Sequence, residues 1–249
     1  MIRRVMDGPM GTALMAHGFD PAQEASCDWN RTRPEIVCGI HRGYVEAGAT
    51  ILLSNTFVAS DREMLALGVT LARAECPVDG QVWLNLGPLR GLPRTLSEGR
   101  AFLDGLPPFD GILLETFSDI DALMIAGAFV STGHPVALSL TYRQQAGRIT
   151  TFDGEPPETF ADAAEDEGLV ALGVNCGRDM PYEDVVAVIE RYRARTAIPL
   201  IAKPNQIGDP SALWTAGATW VGGCCGTDAT WIRAVRDAMP NADSGAALS

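Results

Sequence analysis

One pattern recurs eight times along the chain: a short apolar run, a polar exit and an amphipathic stretch with helical periodicity. The apolar runs are continuous rather than alternating, which is typical of parallel strands covered on both faces. They begin near positions 5, 50, 81, 111, 135, 169, 197 and 218. Strands that alternate with helices predict βαβ units, and eight units in 249 residues predict an α/β fold, a single (β/α)8 TIM barrel.

The helices and the C-terminal tail complete this division of the chain. Apolar residues at spacings of three and four predict helices at 34–47, 62–74, 96–103, 119–131, 157–167, 182–196, 210–216 and 228–239. A polar loop is expected after the fifth strand. No shift in composition marks a second domain, so we assign residues 1–239 to the barrel. Residues 240–249 are mostly small and polar, which predicts a flexible tail.

Composition and charge exclude several classes of function. The formal net charge of −12 and the pI near 4.6 argue against nucleic acid and against an anionic membrane surface as partners. No uncharged apolar run is long enough to span a membrane, and too few residues precede the first motif for a signal peptide. Six cysteines without a secretory signal indicate reduced thiols or metal ligands and favour a cytoplasmic location.

Two neighbouring cysteines, Cys224 and Cys225, follow the last apolar run and have glycines on both sides. Adjacent side chains of a regular strand point to opposite faces, so both sulfurs can reach one centre only if the backbone bends, which glycine permits. Cys176 ends the sixth apolar run in a similar Cys-Gly setting. Three thiolates from two strand ends make a zinc site with an open fourth position, the catalytic form of such sites. The alternatives are packing thiols or a structural metal clip.

The remaining cysteines and several polar residues complete the set of candidates. Cys27, Cys38 and Cys76 do not lie at strand ends and are interpreted as small apolar fillers. In a TIM barrel the site lies at the carboxyl ends of the strands. By this criterion the candidates are Asp7, Asn55, Thr56, Glu115 and Asn205. Simpler roles are a turn cap for the aspartate and a salt bridge at the barrel rim for the glutamate.

Five motifs carry a family resemblance and span nearly the whole chain. They are Asp7-Gly8-Pro9-Met10-Gly11-Thr12, Ser54-Asn55-Thr56-Phe57, Glu115-Thr116, Gly173-Val174-Asn175-Cys176 and Gly222-Gly223-Cys224-Cys225-Gly226-Thr227. In this order they resemble the homocysteine S-methyltransferase family. The resemblance implies a zinc-dependent barrel that methylates the thiol of homocysteine to form methionine. Two departures stand out: Pro9 replaces a usual glycine, and the chain is short after Thr56 and between Asn205 and Trp214, which suggests that a partner covers the site.

The resemblance also implies roles for individual residues. The zinc ligands are Cys176, Cys224 and Cys225, and together with Glu115 they form the expected catalytic set. The α-ammonium group of homocysteine is expected at Glu115 and Asp7, and its carboxylate at backbone N–H groups near Gly8 and Thr56. Asn205 is a candidate for a displaceable fourth zinc ligand in the resting state. It is also predicted to be one of the substrate-binding residues.

The methyl donor and two competing functions stay open at this point. The motif Ala202-Lys203-Pro204-Asn205 and the short loops resemble the homocysteine module of cobalamin-dependent methionine synthases, which favours a methyl-corrinoid protein as donor. S-methylmethionine, betaine or another onium compound would instead make the chain self-sufficient. A non-catalytic subunit that binds zinc and homocysteine is an alternative of another class. A metal-free aldolase-like barrel would need Lys203 for a Schiff base, a poor fit beside three thiols.

Overall fold

The computed structural model describes residues 2–176 and 180–241, and most of the expected tail at 240–249 therefore lies outside the described residues. The strands are β1 (Arg4–Val5), β2 (Ile51–Leu53), β3 (Gln81–Leu86), β4 (Gly111–Phe117), β5 (Val136–Leu140), β6 (Arg143–Gln145), β7 (Arg148–Thr150), β8 (Ala171–Asn175), β9 (Leu200–Lys203) and β10 (Trp220–Val221). All except β6 and β7 belong to one parallel sheet in the order β1-β10-β9-β8-β5-β4-β3-β2. The two ends of this sheet meet where Met6 pairs with Ile51, which closes the predicted TIM barrel.

Helices connect successive barrel strands and cover the outer face of the sheet. They are α1 (Met10–Met15), α2 (Trp29–Thr32), α3 (Pro34–Ala47), α4 (Arg62–Glu75), α5 (Leu96–Leu103), α6 (Asp121–Val130), α7 (Pro157–Ala163), α8 (Tyr182–Arg193), α9 (Pro210–Thr215) and α10 (Ala229–Asp237), with a 3-10 turn at Ser26–Asp28 before α2. The predicted bounds of α3 and α5 are confirmed, and β4 begins at the predicted position 111. Helices α7 and α8 end before the predicted 167 and 196. The chain beyond them tightens into i→i+3 turns, such as Arg195 N to Tyr192 O at 2.9 Å. Among the described residues, no helix is long and apolar enough to cross a membrane.

The β6–β7 hairpin lies where the sequence pattern predicts only a polar loop. Its turn places Ala146 and Gly147 at φ 51° and 76°. Two residues with positive φ match a hairpin turn of type I′, which usually contains Asn-Gly or Asp-Gly. The hairpin was missed because alanine at the first of these positions gives no such signal. The short elements α1 and α2 were also missed, since they are too brief for a helical period to show.

Apolar side chains at every second position of the strands point inward and fill the barrel interior. The interior cluster consists of Met6, Ile51, Leu53, Trp83, Leu113, Ala137, Ala171, Ile201 and Trp220. The rings of Trp83 and Trp220 pack edge to face with centroids 5.1 Å apart. Residues between these positions face outward to the helices and form the larger core. Since side chains alternate along a strand, the positions two residues further on also point inward, and these build the site.

Candidate active site

A layer of polar side chains lies above the apolar interior, at the carboxyl ends of the strands. Five strand residues with buried side chains form most of this layer: Asn85, Glu115, Ser139, Asn175 and Lys203. Each follows an inward-pointing apolar residue of its own strand by two or four positions, so its side chain also points inward. Asp7 joins this layer from the end of β1 and is only 2% exposed. Of the polar candidates that the sequence pattern places at strand ends, Asp7 and Glu115 lie in this layer.

Glu115 and Lys203 form a buried ion pair at the centre of the layer. Lys203 Nζ lies 2.5 Å from Glu115 Oε1, and Asn85 Nδ2 donates to Glu115 Oε2 at 2.9 Å. Burial acts to lower the pKa of Lys203, but the negative charges of Glu115 and Asp7 outweigh it, so the net shift is upward. A lysine held in its charged form is the opposite of the neutral amine that a Schiff base requires.

Asp7 is the other acidic group of the layer, and one of its oxygens is unfilled. Its Oδ2 accepts from Leu53 N at 2.8 Å, whereas Oδ1 is buried without a hydrogen-bond partner among the described residues. Burial raises the pKa of Asp7 from 3.8 to about 7, although Lys203 and the Leu53 N–H act in the opposite direction. A buried, unfilled carboxylate oxygen is a ready acceptor for a ligand's ammonium group.

Replacing Asp7 with asparagine is expected to stabilise the metal-free protein increasingly as the pH rises from about 4 to about 7. The raised folded-state pKa means that the stability contributed by protonated Asp7 is present at low pH and lost through this window. At about 1.4 kcal/mol per pKa unit, the gain at pH 8 has a ceiling of about 4 kcal/mol. Denaturant unfolding of both proteins across this range measures the difference, and a pH-independent difference would contradict the assignment. We also expect weaker homocysteine binding by Asp7→Asn.

Three thiols lie together beside this layer. The Sγ atoms of Cys176, Cys224 and Cys225 are all within 4.8 Å of one another. Cys176 follows β8 directly and has φ 52°, so its side chain leaves the alternation of the strand. The turn after β10 is closed by bonds from Thr227 N and Oγ1 to Cys224 O at 3.1 and 2.9 Å, with Gly226 at φ 84°. The predicted backbone bend at the cysteine pair is present.

Each of the three thiols shifts the pKa values of the other two. Hydrogen bonds with Cys176 and Cys224 lower the pKa of Cys225 to about 3, while hydrogen bonds with Cys224 and Cys225 raise the pKa of Cys176. Without a cation the cluster therefore favours one thiolate held by two protonated thiols, because further negative charges would repel one another. Two thiolates on a tetrahedral zinc ion are about 3.8 Å apart, which this spacing can accommodate. The donor set fits a soft divalent metal such as zinc.

A cavity of about 300 Å³ opens next to the thiols and the polar layer. The predicted site residues that line it are Gly8, Asn55, Glu115, Cys176, Cys224 and Cys225. The other predicted site residues, Asp7, Thr56 and Asn205, do not line it. The Thr56 N–H donates to Ser54 O at 2.8 Å and its hydroxyl to Asn85 O at 2.7 Å, so both groups support the loop after β2. Asn205 lies in the loop that follows β9.

The sequence pattern assigns no zinc- or substrate-binding role to four residues of this site, although Thr116, Asn175 and Lys203 lie in motifs that carry the family resemblance. Asn85, Thr116 and Lys203 line the cavity, and Asn175 lies behind Thr116 and Cys224. The alternation of side chains along a strand could have predicted that three of them point inward. Asn85, Asn175 and Lys203 each occur an even number of residues after an inward apolar residue of the same strand. Thr116 carries no such signal, because its position depends on an irregularity in β4.

Known proteins resemble this chain over nearly its full length. A family model described as homocysteine S-methyltransferase matches residues 4–80 and 101–239. The homocysteine S-methyltransferase of Escherichia coli is 26% identical over 303 aligned positions, which cover 93% of this chain and 94% of that protein. The methionine synthase of Mycobacterium tuberculosis is 28% identical over 96% of this chain, which spans only 25% of that longer protein.

The solved structures agree with the fold. The metallated form of the homocysteine methyltransferase MmuM from Escherichia coli superposes with a TM-score of 0.77, over 95% of this chain and 96% of that one, at 22% identity. This likeness supports the barrel and its single-domain architecture. Since the family model covers most of the sequence, the chain belongs to the homocysteine S-methyltransferase family, enzymes that transfer a methyl group to a thiol.

Proposed function

We propose that this chain catalyses zinc-dependent transfer of a methyl group to the thiol of homocysteine, with methionine as product. In the balanced reaction the thiol loses its proton, a sulfur–carbon bond forms, and the bond from the methyl group to the donor breaks. The observation that carries the proposal is the cluster of three thiols within 4.8 Å of one another, on one cavity with Glu115. A thiol substrate that carries an α-ammonium group matches both parts of this site.

Cys176, Cys224 and Cys225 would hold the zinc ion. When bound, zinc supplies the positive charge that lets a substrate thiol lose its proton at neutral pH. We keep Asn205 as a candidate fourth ligand of the resting enzyme. Absorption spectroscopy at the zinc edge supports this role if it finds three sulfurs and one oxygen, and four sulfurs without substrate would contradict it.

The chain's own polar residues would orient the amino acid. Asp7 Oδ1 has no partner among the described residues and can accept from the α-ammonium group, with Glu115 beside it. Gly8 lines the cavity, so its N–H is the candidate for the α-carboxylate. Thr56 stays in the proposal only through the loop it supports, because its N–H is already bonded. Fixing the substrate in this way supplies much of the rate gain of a bimolecular transfer.

A methyl-corrinoid protein is the donor that we favour. The alignment with the Escherichia coli protein runs over 303 positions, well above the 249 residues here, so segments of that relative have no counterpart in this chain. Phe57 is the one aromatic residue among the described residues that line the cavity. Cages for onium groups are usually built from several aromatic rings. Both observations favour a donor delivered by another protein over a small onium compound.

A small onium donor is the second candidate, because one observation favours it. The Escherichia coli homocysteine S-methyltransferase is matched over 94% of its own length. The alignment thus spans nearly the whole of that protein, although segments inside it have no counterpart here. This comparison favours a self-sufficient enzyme that uses S-methylmethionine, betaine or a similar compound.

The test loads the purified protein with zinc and supplies homocysteine with one donor at a time. The donors are S-methylmethionine, betaine, dimethylsulfoniopropionate and methylcobalamin, and methionine is the readout. Turnover with methylcobalamin alone supports the corrinoid donor, and turnover with an onium compound supports the second candidate. Tight homocysteine binding without methionine from any donor would replace the enzyme with a non-catalytic subunit. Activity that survives complete zinc removal would contradict the zinc dependence.

A further inference from the structure

Asn175 is the last residue of β8, and its fully buried side chain connects three parts of the site. Its Oδ1 accepts from Thr116 N at 3.1 Å and from Ser139 Oγ at 2.7 Å. Its Nδ2 donates to Thr116 Oγ1 at 2.7 Å and lies 3.9 Å from Cys224 Sγ. An amide side chain offers two acceptor and two donor positions, so all four are used.

Thr116, which makes two hydrogen bonds with Asn175, has an unusual backbone conformation. Thr116 has φ 68°, a region that β-branched residues rarely occupy. The pairing of β4 with β5 shifts register between Glu115 and Phe117, so Thr116 is an extra residue in its strand. Such bulges re-aim neighbouring side chains and often lie next to active sites. The Asn175 amide binds both the N–H and the hydroxyl of Thr116, which fixes this bulge from two sides.

The two ends of this amide therefore touch different halves of the site. Thr116 directly follows Glu115, so the bulge sets the direction in which the Glu115 carboxylate leaves the strand. Cys224 is one of the three clustered thiols, and an N–H group directed at its sulfur favours one position of the side chain. A residue that only filled space behind the strands would need none of these four contacts.

We propose that Asn175 is a positioning residue that fixes the Glu115 carboxylate through Thr116 and the Cys224 thiolate through its own N–H. The proposal rests on the proposed function, since it takes Cys224 as a metal ligand and Glu115 as a substrate contact. It adds that one buried amide sets both the metal half and the amino-acid half of the site. Partners that orient metal ligands typically affect metal affinity or activity 10- to about 100-fold.

Two isosteric substitutions separate the two halves. Asn175→Asp keeps the shape of the side chain but removes the donor that contacts Thr116 Oγ1 and Cys224 Sγ. Thr116→Val removes the Oγ1 contact alone and leaves the contact to Cys224. Asn30→Asp is the matched control, because Asn30 is a buried amide whose Nδ2 donates to Asn55 O and Met64 O rather than to a thiol.

The readouts use Co²⁺ as the probe and need no methyl donor. They are the Co²⁺ affinity, the sulfur-to-cobalt charge-transfer band of the loaded full-length protein, and the dissociation constant of homocysteine from a spectral titration. We expect Asn175→Asp to shift the band and to weaken both Co²⁺ and homocysteine about 10-fold or more. Thr116→Val should weaken homocysteine alone and leave the band unchanged. The Asn30→Asp control should leave the band and the Co²⁺ affinity unchanged.

Two results would overturn the proposal. One is an unchanged band and Co²⁺ affinity in Asn175→Asp, and the other is a Thr116→Val protein whose band shifts or whose homocysteine affinity stays the same. If Asn175→Asp does not fold, the Thr116→Val result still decides the Glu115 half. Because these measurements record binding, they remain decisive even if the protein fails to make methionine, which would contradict only the proposed function.

Discussion

Replacing Cys224 with serine is expected to remove the bound zinc and to reduce methyl transfer at least about 10³-fold. Loss of a residue that merely supports a metal ligand costs 10- to about 100-fold, and loss of the ligand itself should cost more. Serine keeps the size of the side chain but offers a hydroxyl that does not ionise near neutral pH. The cluster then retains only Cys176 and Cys225. Zinc content by mass spectrometry and methionine formation with the productive donor measure the effect.

A second cysteine provides the control for this prediction. Cys38 lies on α3 and outside the thiol cluster, and its thiol contacts Leu71 O at 4.0 Å and the Glu75 carboxylate. Cys38→Ser should keep one zinc ion per chain and near-normal activity. If Cys224→Ser also kept its zinc and its activity, the three thiols would not be the metal site. Serine at Cys225 should behave as it does at Cys224.

Replacing Lys203 with methionine is expected to lower the free energy of unfolding by about 3–5 kcal/mol. The Lys203 and Glu115 side chains are 3% and 8% exposed, so removal of the ammonium leaves a buried carboxylate without its counter-charge. Asp7 is buried nearby and also loses the favourable effect of this charge. Urea unfolding of the metal-free protein measures the loss.

The double variant and a surface pair show whether burial is the cause. Glu115→Gln combined with Lys203→Met removes both charges. We expect the double variant to be more stable than the Lys203→Met variant, because no buried carboxylate is left without its counter-charge at position 115. The Arg195–Asp162 pair has a similar distance of 2.7 Å, but both side chains are about half exposed. Arg195→Met should therefore cost under about 1 kcal/mol. Equal losses at the two pairs would contradict the role of burial.

The charges of Asp7, Glu115 and Lys203 act on one another in the buried polar layer. Asp7 and Glu115 bring two negative charges into a buried layer that contains one lysine. Asp7 Oδ1 has no hydrogen-bond partner among the described residues, and a bound ligand could supply one. Sites that bind ligands often retain such a cost in stability. We therefore expect opposite changes in the free energy of unfolding: Asp7→Asn should raise it and Lys203→Met should lower it.

Much of the fold was predictable from the sequence because it depends on local patterns. Continuous apolar runs bounded by polar exits indicated parallel strands, and the period of three and four residues gave α3 and α5 their bounds. The thiol cluster was also predictable. Cys176 and the Cys224–Cys225 pair each follow a strand, and in a closed parallel barrel all carboxyl ends meet on one face.

Other features depend on which residues meet across the barrel, and these only the tertiary structure decided. Glu115 and Lys203 are 88 residues apart, so nothing in the local sequence shows that they neutralise each other. Thr56 lies in a family motif, yet its N–H and hydroxyl are taken by neighbours on the loop and on β3. Each role depends on competition for hydrogen bonds among groups that are distant in sequence.

The clearest division lies at the ends of β4 and β8. The sequence alone determined that Glu115 and Cys176 lie near the carboxyl ends of strands, because the apolar runs before them are unambiguous. It did not determine the direction of their side chains, which depends on positive φ at Thr116 and Cys176. A local pattern favours regular backbone at both residues, whereas the bulge at Thr116 is bonded by the buried amide of Asn175, which also accepts from Ser139, so its contacts join three strands that are distant in sequence.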